Sequence, residues 1–316
     1  MLRIVWEQVV QPWVLWRERI DLVHALAFVG PWATPCPVVV TVYDLSFLFY
    51  PEVFRPANRL YLRLGTRHSV RRARRVVAIS ESTRRDVARV YRIPVERIDI
   101  ARPGVGDEFY PRPPAELEAF RAQRSLPDQY LLFVGTLEPR KNVVQLVEAY
   151  AHFCCIVGLD RRRGEFPRLV LTGGKGWLYD EIFARVEALG LERDVLFPGY
   201  VPQAELPLWY AAATAFVYPS LYEGFGLPAL ESMASGTPVI TSDISSLPEV
   251  VGDAAVLVDP ADMEALAEAM AQVVNDETLR ASLRARGLQR ARGFTWAETA
   301  RNTVTSYRRA MRGRDV

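Results

Sequence analysis

The sequence predicts an α/β protein with two doubly wound parallel-sheet domains, and three observations support this class. The first is size, because 316 residues that are 50% hydrophobic can bury two separate cores. The second is pattern, because short apolar runs alternate with helical segments in the second half. The third is charge: the first 127 residues carry 20 Arg and Lys against 13 Asp and Glu, and the remainder carry 19 against 24. A basic half followed by an acidic half indicates two domains that face different partners.

The first half of the chain predicts alternating strands and helices. The Val- and Thr-rich run at 37–43 is typical of a buried strand, and Ser80 is typical of a helix N-cap. Pro and Gly residues between 103 and 114 interrupt the pattern, so we expect a linker over 103–128. Strands are predicted around Val5 and at 21–26, 37–43, 76–79 and 97–101, and helices at 11–19, 55–75 and 80–90.

Arginine recurs at every fourth position of the helix predicted at 55–75, with no acidic residue between the first and the last. This spacing brings successive arginines close together on a helix. An anionic membrane surface or an acidic acceptor would suit such a face, and a plain solvated helix is an equal alternative. Nucleic acid is disfavoured as a partner, because the sequence carries no signature of a nucleic-acid-binding fold. The arginines are Arg55, Arg59, Arg63, Arg67, Arg71 and Arg75, and the interleaved apolar residues are Leu60, Tyr61, Leu64 and Val70.

The second half predicts a doubly wound parallel sheet of six strands, with helices between most of them. We therefore expect a first domain at residues 1–115 and a second at 116–316. The strands are predicted at 130–134, 169–172, 195–197, 215–218, 239–241 and 255–258. Helices are predicted to open at 201–206 and to cover 228–236, 263–274, 277–289 and 296–312.

The stretch 218–236, YPSLYEGFGLPALESMASG, predicts an anion-binding site at the start of a helix. The glycines before Pro228 let the backbone approach a ligand, and proline suits a first helical turn. Free N–H groups at such a helix start can bind a phosphate. Glu223 and Glu231 flank this point, where carboxylates can accept hydrogen bonds from sugar hydroxyls. The pattern suggests a nucleotide-sugar site, and a glycine-rich turn with surface acids is the alternative.

Two further positions are candidate binding sites. The chain contains only two lysines, Lys141 and Lys175, and each lies in a loop after a predicted strand. Because a cation at a helix start opposes the helix dipole, Arg140 and Lys141 suggest a nearby anion such as a diphosphate. Tyr43 and Asp44 follow the strand at 37–43, and open α/β sheets bind ligands at strand ends. An ordinary polar cap at that strand end is the alternative.

Five stretches, in order, resemble the retaining GT-B glycosyltransferases with an E-x7-E motif, a group that includes bacterial mannosyl- and glucosyltransferases. The resemblance implies two Rossmann-like domains that face a cleft, the first for the acceptor and the second for the nucleotide-sugar. It also implies that the last helix packs back on the first domain, and that this domain lacks its opening βαβ unit. The stretches are GTLEPRKN (135–142), GGKGW (173–177), FPGYVP (197–202), Glu223 to Glu231 around GFGLPAL, and SSLPEVVGDAAVLVDP (245–260).

The resemblance implies roles for individual residues. Glu231 would hold the ribose, and Glu223 a hydroxyl of the transferred sugar. Tyr43 stands where family members commonly have a His near the reacting sugar, and Thr136 stands where they often have Arg. The predicted catalytic residues are Tyr43, Asp44 and Glu223. The predicted nucleotide-sugar-binding residues are Gly135, Thr136, Arg140, Lys141, Gly174, Lys175, Tyr200, Val201, Glu223, Phe225, Gly226, Leu227 and Glu231.

The implied function is transfer of a hexose from a GDP- or UDP-sugar to a glycan or lipid acceptor, without a metal ion or a cofactor. The lack of an Asp-x-Asp pair argues against the metal-dependent glycosyltransferase fold. A nucleotide-sugar-binding protein without transfer activity is the alternative, motivated by Tyr43 and by the short first domain. Hydride transfer is disfavoured, because no G-x-G-x-x-G opens a helix after a strand. Three cysteines without metal or disulfide spacing, and a start unlike a secretory signal, predict a cytoplasmic protein, peripheral on the inner membrane face if the arginines bind lipid.

Overall fold

The chain forms two compact units in a computed structural model that describes residues 5–158, 167–174, 176 and 179–312. Unit 1 consists of Met1–Gly104 with Thr295–Val316, and unit 2 consists of Val105–Phe294. Each unit contains one sheet in which every paired strand is parallel. The predicted α/β class with two Rossmann-like parallel-sheet domains is therefore confirmed.

Unit 1 contains a four-stranded sheet whose strand order follows chain order. The strands are β1 (Val23–Ala25), β2 (Val38–Val42), β3 (Arg75–Ala78) and β4 (Ile98–Ile100). Every residue of β2 is buried, as expected for a Val- and Thr-rich strand with both faces covered. The first helices are α1 (Gln11–Arg17), α2 (Ser46–Phe49), α3 (Pro56–Arg72) and α4 (Glu81–Tyr91), with 3-10 turns at Pro51–Val53 and Val95–Arg97.

The first described residues of unit 1, from Val5 onward, are helical, so the strand predicted around Val5 is wrong. Residues Trp6–Val10 form a π-helical turn that continues into α1, and Val5 itself has helical dihedral angles (φ −61°, ψ −45°). Trp6, Val9 and Trp13 are three and four positions apart. That is the spacing of one helix face, and a half-buried strand would need strict alternation.

Two helices of unit 1 lie close to their predicted positions, but α3 ends at Arg72. Arg75, predicted as the last arginine of the basic helix face, lies instead in β3 and pairs with Asp99. The Oγ of Ser80 accepts a hydrogen bond from the backbone N–H of Thr83 at 2.9 Å, which caps α4 as expected. On α3, Val70 is buried, whereas Leu60 and Leu64 are 56% and 53% exposed. Among the described residues, no helix is long and apolar enough to cross a membrane.

Unit 2 contains a six-stranded sheet. Its strands are β5 (Tyr130–Val134), β6 (Arg168–Thr172), β7 (Val195–Gly199), β8 (Ala215–Tyr218), β9 (Val239–Ser242) and β10 (Ala255–Val258). They lie in the order β10-β9-β8-β5-β6-β7. The helices are α5 (Pro114–Gln123), α6 (Val143–Ile156), α7 (Asp180–Ala188), α8 (Leu206–Ala212), α9 (Leu227–Ala234), α10 (Leu247–Val251), α11 (Met263–Asn275) and α12 (Glu277–Ala291), with a 3-10 turn at Pro139–Lys141.

The strand order of unit 2 reverses between β5 and β8. These two strands are neighbours, with Leu131 opposite Ala215, and the order then runs outward to β7 on one side and to β10 on the other. At such a switch point the loops after the two central strands diverge and leave a crevice, which is where open α/β sheets bind ligands. The loops after β5 and β8 hold the predicted basic pair and the predicted glycine turn.

The helix predicted to open at 201–206 begins later than expected. Glu205 N donates to Pro202 O at 2.9 Å, which closes a turn, and α8 starts at Leu206. Pro207 lies in the first turn of α8 and sets this start, because proline fits only where its missing N–H is not needed.

The last helix, α13 (Trp296–Met311), belongs to unit 1 although it follows unit 2 in sequence. It packs on β2, β3 and β4. Asp99 of β4 is buried, accepts a hydrogen bond from Arg75 Nε at 2.8 Å and pairs with Arg309 of α13. This carboxylate with two arginines attaches the helix to the sheet.

Candidate functional site

The loop between β8 and α9 is fixed by a glycine and a serine. Gly226 has φ +108°, and a Cβ at this position would lie 2.7 Å from Leu247 Cδ2. The Oγ of Ser246 lies 2.9 Å from Glu223 O and 2.8 Å from Phe225 O. The hydroxyl therefore ties together the two ends of the tight turn that leads into α9.

The amino end of α9 presents backbone donors. Pro228 lies in the first turn, as predicted, and has no N–H. Within the part of the chain that the structure describes, the N–H groups of Phe225, Gly226 and Leu227 have no hydrogen-bond acceptor. Their positive ends add to the helix dipole, so this turn is suited to a phosphate group.

Lys141, Tyr218 and Glu223 form a buried triangle at the switch point of the sheet. Lys141 Nζ lies 2.5 Å from Glu223 Oε1 and 2.5 Å from the Tyr218 hydroxyl, and that hydroxyl lies 2.9 Å from the same carboxylate oxygen. Lys141 and Glu223 are each 8% exposed, and Tyr218 is fully buried. The loop after β5 supplies the lysine, and β8 with its following loop supplies the other two side chains.

Arg140 adds a second cation to this triangle. Its Nη1 donates to Tyr222 O at 2.7 Å and lies 3.3 Å from Glu223 Oε2, while its Nη2 donates to Glu138 Oε1 at 2.7 Å. Two cations therefore face two carboxylates, and the charges of the four side chains balance. Among the described residues, no group of three or more His, Cys, Asp or Glu side chains is arranged to hold a metal ion.

Burial and charge together set the ionisation of the central pair. Burial raises the pKa of Glu223, but the adjacent Lys141 and Arg140 cations outweigh burial and hold this pKa below its usual value. Burial lowers the pKa of Lys141, and the Glu223 carboxylate opposes that change. Glu223 is therefore ionised at neutral pH and can only accept hydrogen bonds.

Glu231, one turn into α9, is a carboxyl group of different character. Burial raises its pKa to about 7; a hydrogen bond from Tyr210 opposes this rise, and the Glu108 charge adds to it. The Tyr210 hydroxyl donates to Glu231 Oε2 at 3.1 Å. This carboxyl group therefore changes charge near neutral pH.

Backbone segments approach closely at the ends of β5, β6 and β7. Gly135 N donates to Thr172 O at 3.0 Å, and Gly173 N donates to Gly199 O at 2.9 Å. A Cβ at Gly173 (φ +141°) would lie 1.9 Å from the Gly135 carbonyl oxygen, so only glycine fits there. The close approach joins the loops that follow these strands.

The other predicted binding residues in the loops after β5 and β6 differ in their contacts and exposure. Gly174 O accepts a hydrogen bond from Leu137 N at 3.0 Å, which joins the loops after β5 and β6. Thr136 is exposed. Lys175 lies outside the described residues.

Tyr200 and Val201 line a cavity of about 380 Å³ that follows β7. Tyr200 is 76% exposed, whereas Val201 is buried. An ion pair between Arg124 Nη2 and Glu205 Oε1, at 2.5 Å, also borders the cavity. An exposed aromatic ring beside a cavity can stack against a flat ligand such as a nucleotide base.

Tyr43 and Asp44 lie in unit 1, at the carboxyl end of β2. Tyr43 is 41% exposed, and its carbonyl oxygen accepts a hydrogen bond from Thr83 Oγ1 at 3.1 Å. Asp44 Oδ1 accepts from Ser46 N at 2.8 Å and from Ser46 Oγ at 2.6 Å, which forms a local turn before α2. Asp44 thus makes the kind of polar cap that was the alternative interpretation, and its catalytic role stays a prediction.

Comparison with known proteins gives the family. Residues 116–290 match the family described as glycosyl transferases group 1, and residues 3–109 match the one described as glycosyltransferase family 4. The chain belongs to the glycosyl transferases group 1 family. It is accordingly a glycosyltransferase, with Rossmann-like sheets in both units.

Individual relatives agree with this assignment. O-antigen chain mannosyltransferase B of Escherichia coli is 36% identical over 300 residues, which are 94% of this chain and 77% of the relative. A D-inositol 3-phosphate glycosyltransferase of Nocardioides sp. is 34% identical over 266 residues, which are 81% of this chain and 57% of that relative.

Solved structures show the same GT-B fold. Sucrose-phosphate synthase from Thermosynechococcus elongatus has a TM-score of 0.77 and 25% identity, and the match covers 95% of this chain and 76% of that chain. Anabaena HepE in complex with UDP-glucose has a TM-score of 0.72 and 21% identity, and covers 85% of this chain and 72% of that chain.

Several polar residues of the site were not among the sequence candidates. The sequence could have indicated Tyr218 as a site residue, because its hydroxyl stands at the end of an otherwise apolar strand, directly before the glycine turn. Its indication of Glu138 is weaker and rests only on a position two residues before Arg140. It gives no indication of Tyr210 or Ser246, because their contacts with Glu231 and Glu223 depend on how separate elements pack.

Proposed function

We propose that the chain is a retaining glycosyltransferase that moves a hexose from a GDP- or UDP-sugar to a glycan or lipid acceptor. The main observation in support is the 2.5 Å ion pair between Lys141 and Glu223. This pair is adjacent to the turn whose backbone N–H groups lie at the amino end of α9. One buried cluster thereby combines cations suited to a diphosphate with a carboxylate suited to a sugar hydroxyl.

The leaving diphosphate requires positive charge as the glycosidic bond breaks. Lys141, Arg140 and the N–H groups at the start of α9 supply it by hydrogen bonding, without a metal ion. Because Glu223 and Glu138 already hold these cations, a bound diphosphate competes with the two carboxylates for them. Cations held in place beforehand need little rearrangement when charge develops on the leaving group.

The carboxyl groups bind the two sugars. Ionised Glu223 accepts a hydrogen bond from a hydroxyl of the transferred hexose, and Glu231 accepts from the ribose. Tyr43 and Asp44 of unit 1 act at the reacting sugar. Retention of the anomeric configuration is carried over from the family resemblance.

The relatives favour a nucleotide-activated hexose and a bacterial glycan. The Escherichia coli relative is named for transfer of mannose to an O-antigen chain, and the Anabaena structure holds UDP-glucose. Both a GDP-sugar and a UDP-sugar fit the diphosphate chemistry described above.

The outer face of α3 suits an anionic membrane surface. Arg63, Arg67 and Arg71 are exposed, and none of these arginines has an ion-pair partner among the described residues. Leu60, just before Arg63, and Leu64, just after it, are also exposed. Arginine can pair with lipid phosphates while leucine enters the acyl boundary. Binding there would bring the protein to membrane-linked acceptors at the inner face of the cell membrane.

A transfer assay tests the proposal. The purified chain is incubated with GDP- and UDP-hexoses and with glycan or lipid acceptors in the presence of EDTA, and the product's anomeric proton is identified by NMR. We expect transfer with retained configuration, and loss of transfer in Glu223→Ala. Nucleotide binding without transfer to any acceptor would favour the binding-protein alternative, and an inverted product would contradict retention.

A further inference from the structure

The Tyr218 hydroxyl occupies a position that the roles above do not explain. The ring is fully buried at the end of β8, with the Phe216 ring stacked at 5.4 Å and the Phe133 ring at 5.8 Å between centroids. Its hydroxyl contacts both Lys141 Nζ and Glu223 Oε1. A phenylalanine would fill the same apolar site, so packing alone does not account for the hydroxyl.

The direction of each hydrogen bond in the triangle follows from the available protons. An ammonium only donates, so Lys141 donates to the Tyr218 oxygen. The single phenolic proton is then left for Glu223 Oε1, which also accepts from Lys141. Two of the three lysine N–H groups are used in this way, and one remains.

We propose that Tyr218 is a positioning residue for sugar transfer, which fixes the Glu223 carboxylate and the Lys141 ammonium relative to each other. This inference rests on the proposed function. Oε1 is held by two donors, whereas Oε2 has only the longer 3.3 Å contact with Arg140 Nη1, so Oε2 is the oxygen that accepts the hexose hydroxyl. The third lysine N–H is the one that reaches the diphosphate. The hydroxyl thereby links the sugar and diphosphate subsites.

The charged groups around Glu223 make this role measurable. Lys141 and Arg140 face it from the loop after β5, Tyr218 faces it from β8, and Glu138 acts on it through Arg140. Burial, with the nearby Glu223 charge, raises the pKa of Tyr218 well above its ordinary value, so the phenol keeps its proton. A donor to a carboxylate lowers the carboxylate pKa, and loss of that donor raises it.

The test compares Tyr218→Phe with Tyr130→Phe. Tyr130 is also fully buried in unit 2, and its hydroxyl donates to Trp209 O at 2.8 Å, outside the triangle. Both variants lose one buried hydroxyl that donates a hydrogen bond, and urea unfolding measures the stability that each variant loses. The measurements are kcat, the pH profile of kcat/KM, and titration of the Glu223 carboxyl carbon by ¹³C NMR, with Glu223→Gln to identify the signal.

We expect Tyr218→Phe to lower kcat roughly ten- to a hundredfold, the range for a lost charge-assisted hydrogen bond. The Glu223 titration and the acid limb of the pH profile should both move to higher pH, because the carboxylate has lost a donor. Tyr130→Phe should change neither. Site-specific 3,5-difluorotyrosine in place of Tyr218 keeps the hydroxyl, strengthens it as a donor, and should move the Glu223 titration downward.

A Glu223 titration that is the same in the parent and in Tyr218→Phe overturns the inference. Equal losses of kcat in the two phenylalanine variants also overturn it, because that result indicates a purely structural role. If Tyr218→Phe does not fold, the protein with 3,5-difluorotyrosine at position 218 tests the inference. A Glu223 titration that does not move to lower pH in that protein would overturn it. The NMR titration needs no turnover, so a parent that transfers no sugar would refute the proposed function and still leave this inference decided.

Discussion

The Lys141→Ala variant tests the proposal that unit 2 binds a nucleoside diphosphate through this lysine. Glu223 Oε1 and the Tyr218 hydroxyl, each 2.5 Å away, take two of the three N–H groups of the lysine and leave one for a phosphate oxygen. A charge-assisted hydrogen bond contributes about 1.5–3 kcal/mol. The dissociation constant of UDP or GDP should therefore rise roughly ten- to a hundredfold, as measured by isothermal titration calorimetry.

The same variant should also be less stable, and the loss should depend on pH. Removing one partner of a buried ion pair costs about 3–5 kcal/mol. In the parent, the pKa of Glu223 is held below its ordinary value, so the pair stabilises the fold above that value and the benefit is lost as pH falls through the folded-state pKa. Without Lys141, burial raises this pKa, and the penalty grows as pH rises towards neutral. Urea unfolding at acid and at neutral pH measures the difference.

A double variant separates binding from stability. Lys141→Met with Glu223→Gln removes both charges and keeps similar volumes, so much of the lost stability should return. Nucleotide affinity should remain weak, because the cation is still absent. A folded Lys141→Ala protein that binds UDP and GDP as tightly as the parent would refute the reasoning, since Lys141 would then make no contact with the diphosphate.

Three other results are expected. The proposed role of ionised Glu231 is to accept hydrogen bonds from ribose. Because burial raises the pKa of Glu231 to about 7, this role predicts that nucleotide affinity increases as pH rises through neutrality. Calorimetry of Glu231→Gln should show weak nucleotide binding at every pH. A parent protein whose nucleotide affinity does not change with pH would contradict ribose binding by Glu231. Glu223→Ala should lower nucleotide-sugar turnover far more than it lowers affinity for the free nucleotide. Equal losses would indicate that Glu223 contacts the nucleotide and not the transferred sugar. In co-sedimentation, anionic vesicles should bind the parent more tightly than they bind the double variant Arg63→Glu/Arg67→Glu. Binding of the parent should weaken as salt rises, because exposed charges are screened within about 8 Å at physiological ionic strength. Binding that ignores lipid charge and salt would remove the membrane proposal.

Local signals in the sequence predicted much of the fold. Ser80 before a helical run indicated the cap of α4, and Pro228 after two glycines indicated the start of α9. The chemistry of a cap or a tight turn is contained in a few adjacent residues, and the structure confirms both. The strand predicted around Val5 was wrong because two or three apolar residues in a row fit a strand or a helix equally well.

The site was harder to predict, because its contacts join distant parts of the chain. Lys141 and Glu223 are 82 positions apart and meet only because β5 and β8 are neighbours in the sheet. The sequence suggested both residues as ligand-binding groups, but it held no information that they pair with each other. The neutral balance of charges and the Tyr218 hydroxyl between them follow from that packing.

The most direct test of the central claim is to titrate the protein with each nucleotide in a calorimeter. The affinity for GDP is compared with that for GMP, and the affinity for UDP with that for UMP. The claim is that unit 2 recognises the diphosphate through Lys141, Arg140 and the backbone donors at the start of α9. We expect each diphosphate to bind at least roughly tenfold more tightly than its monophosphate, and Lys141→Ala to remove most of that difference. Equal affinities for mono- and diphosphates, or a difference that persists in Lys141→Ala, would contradict the claim.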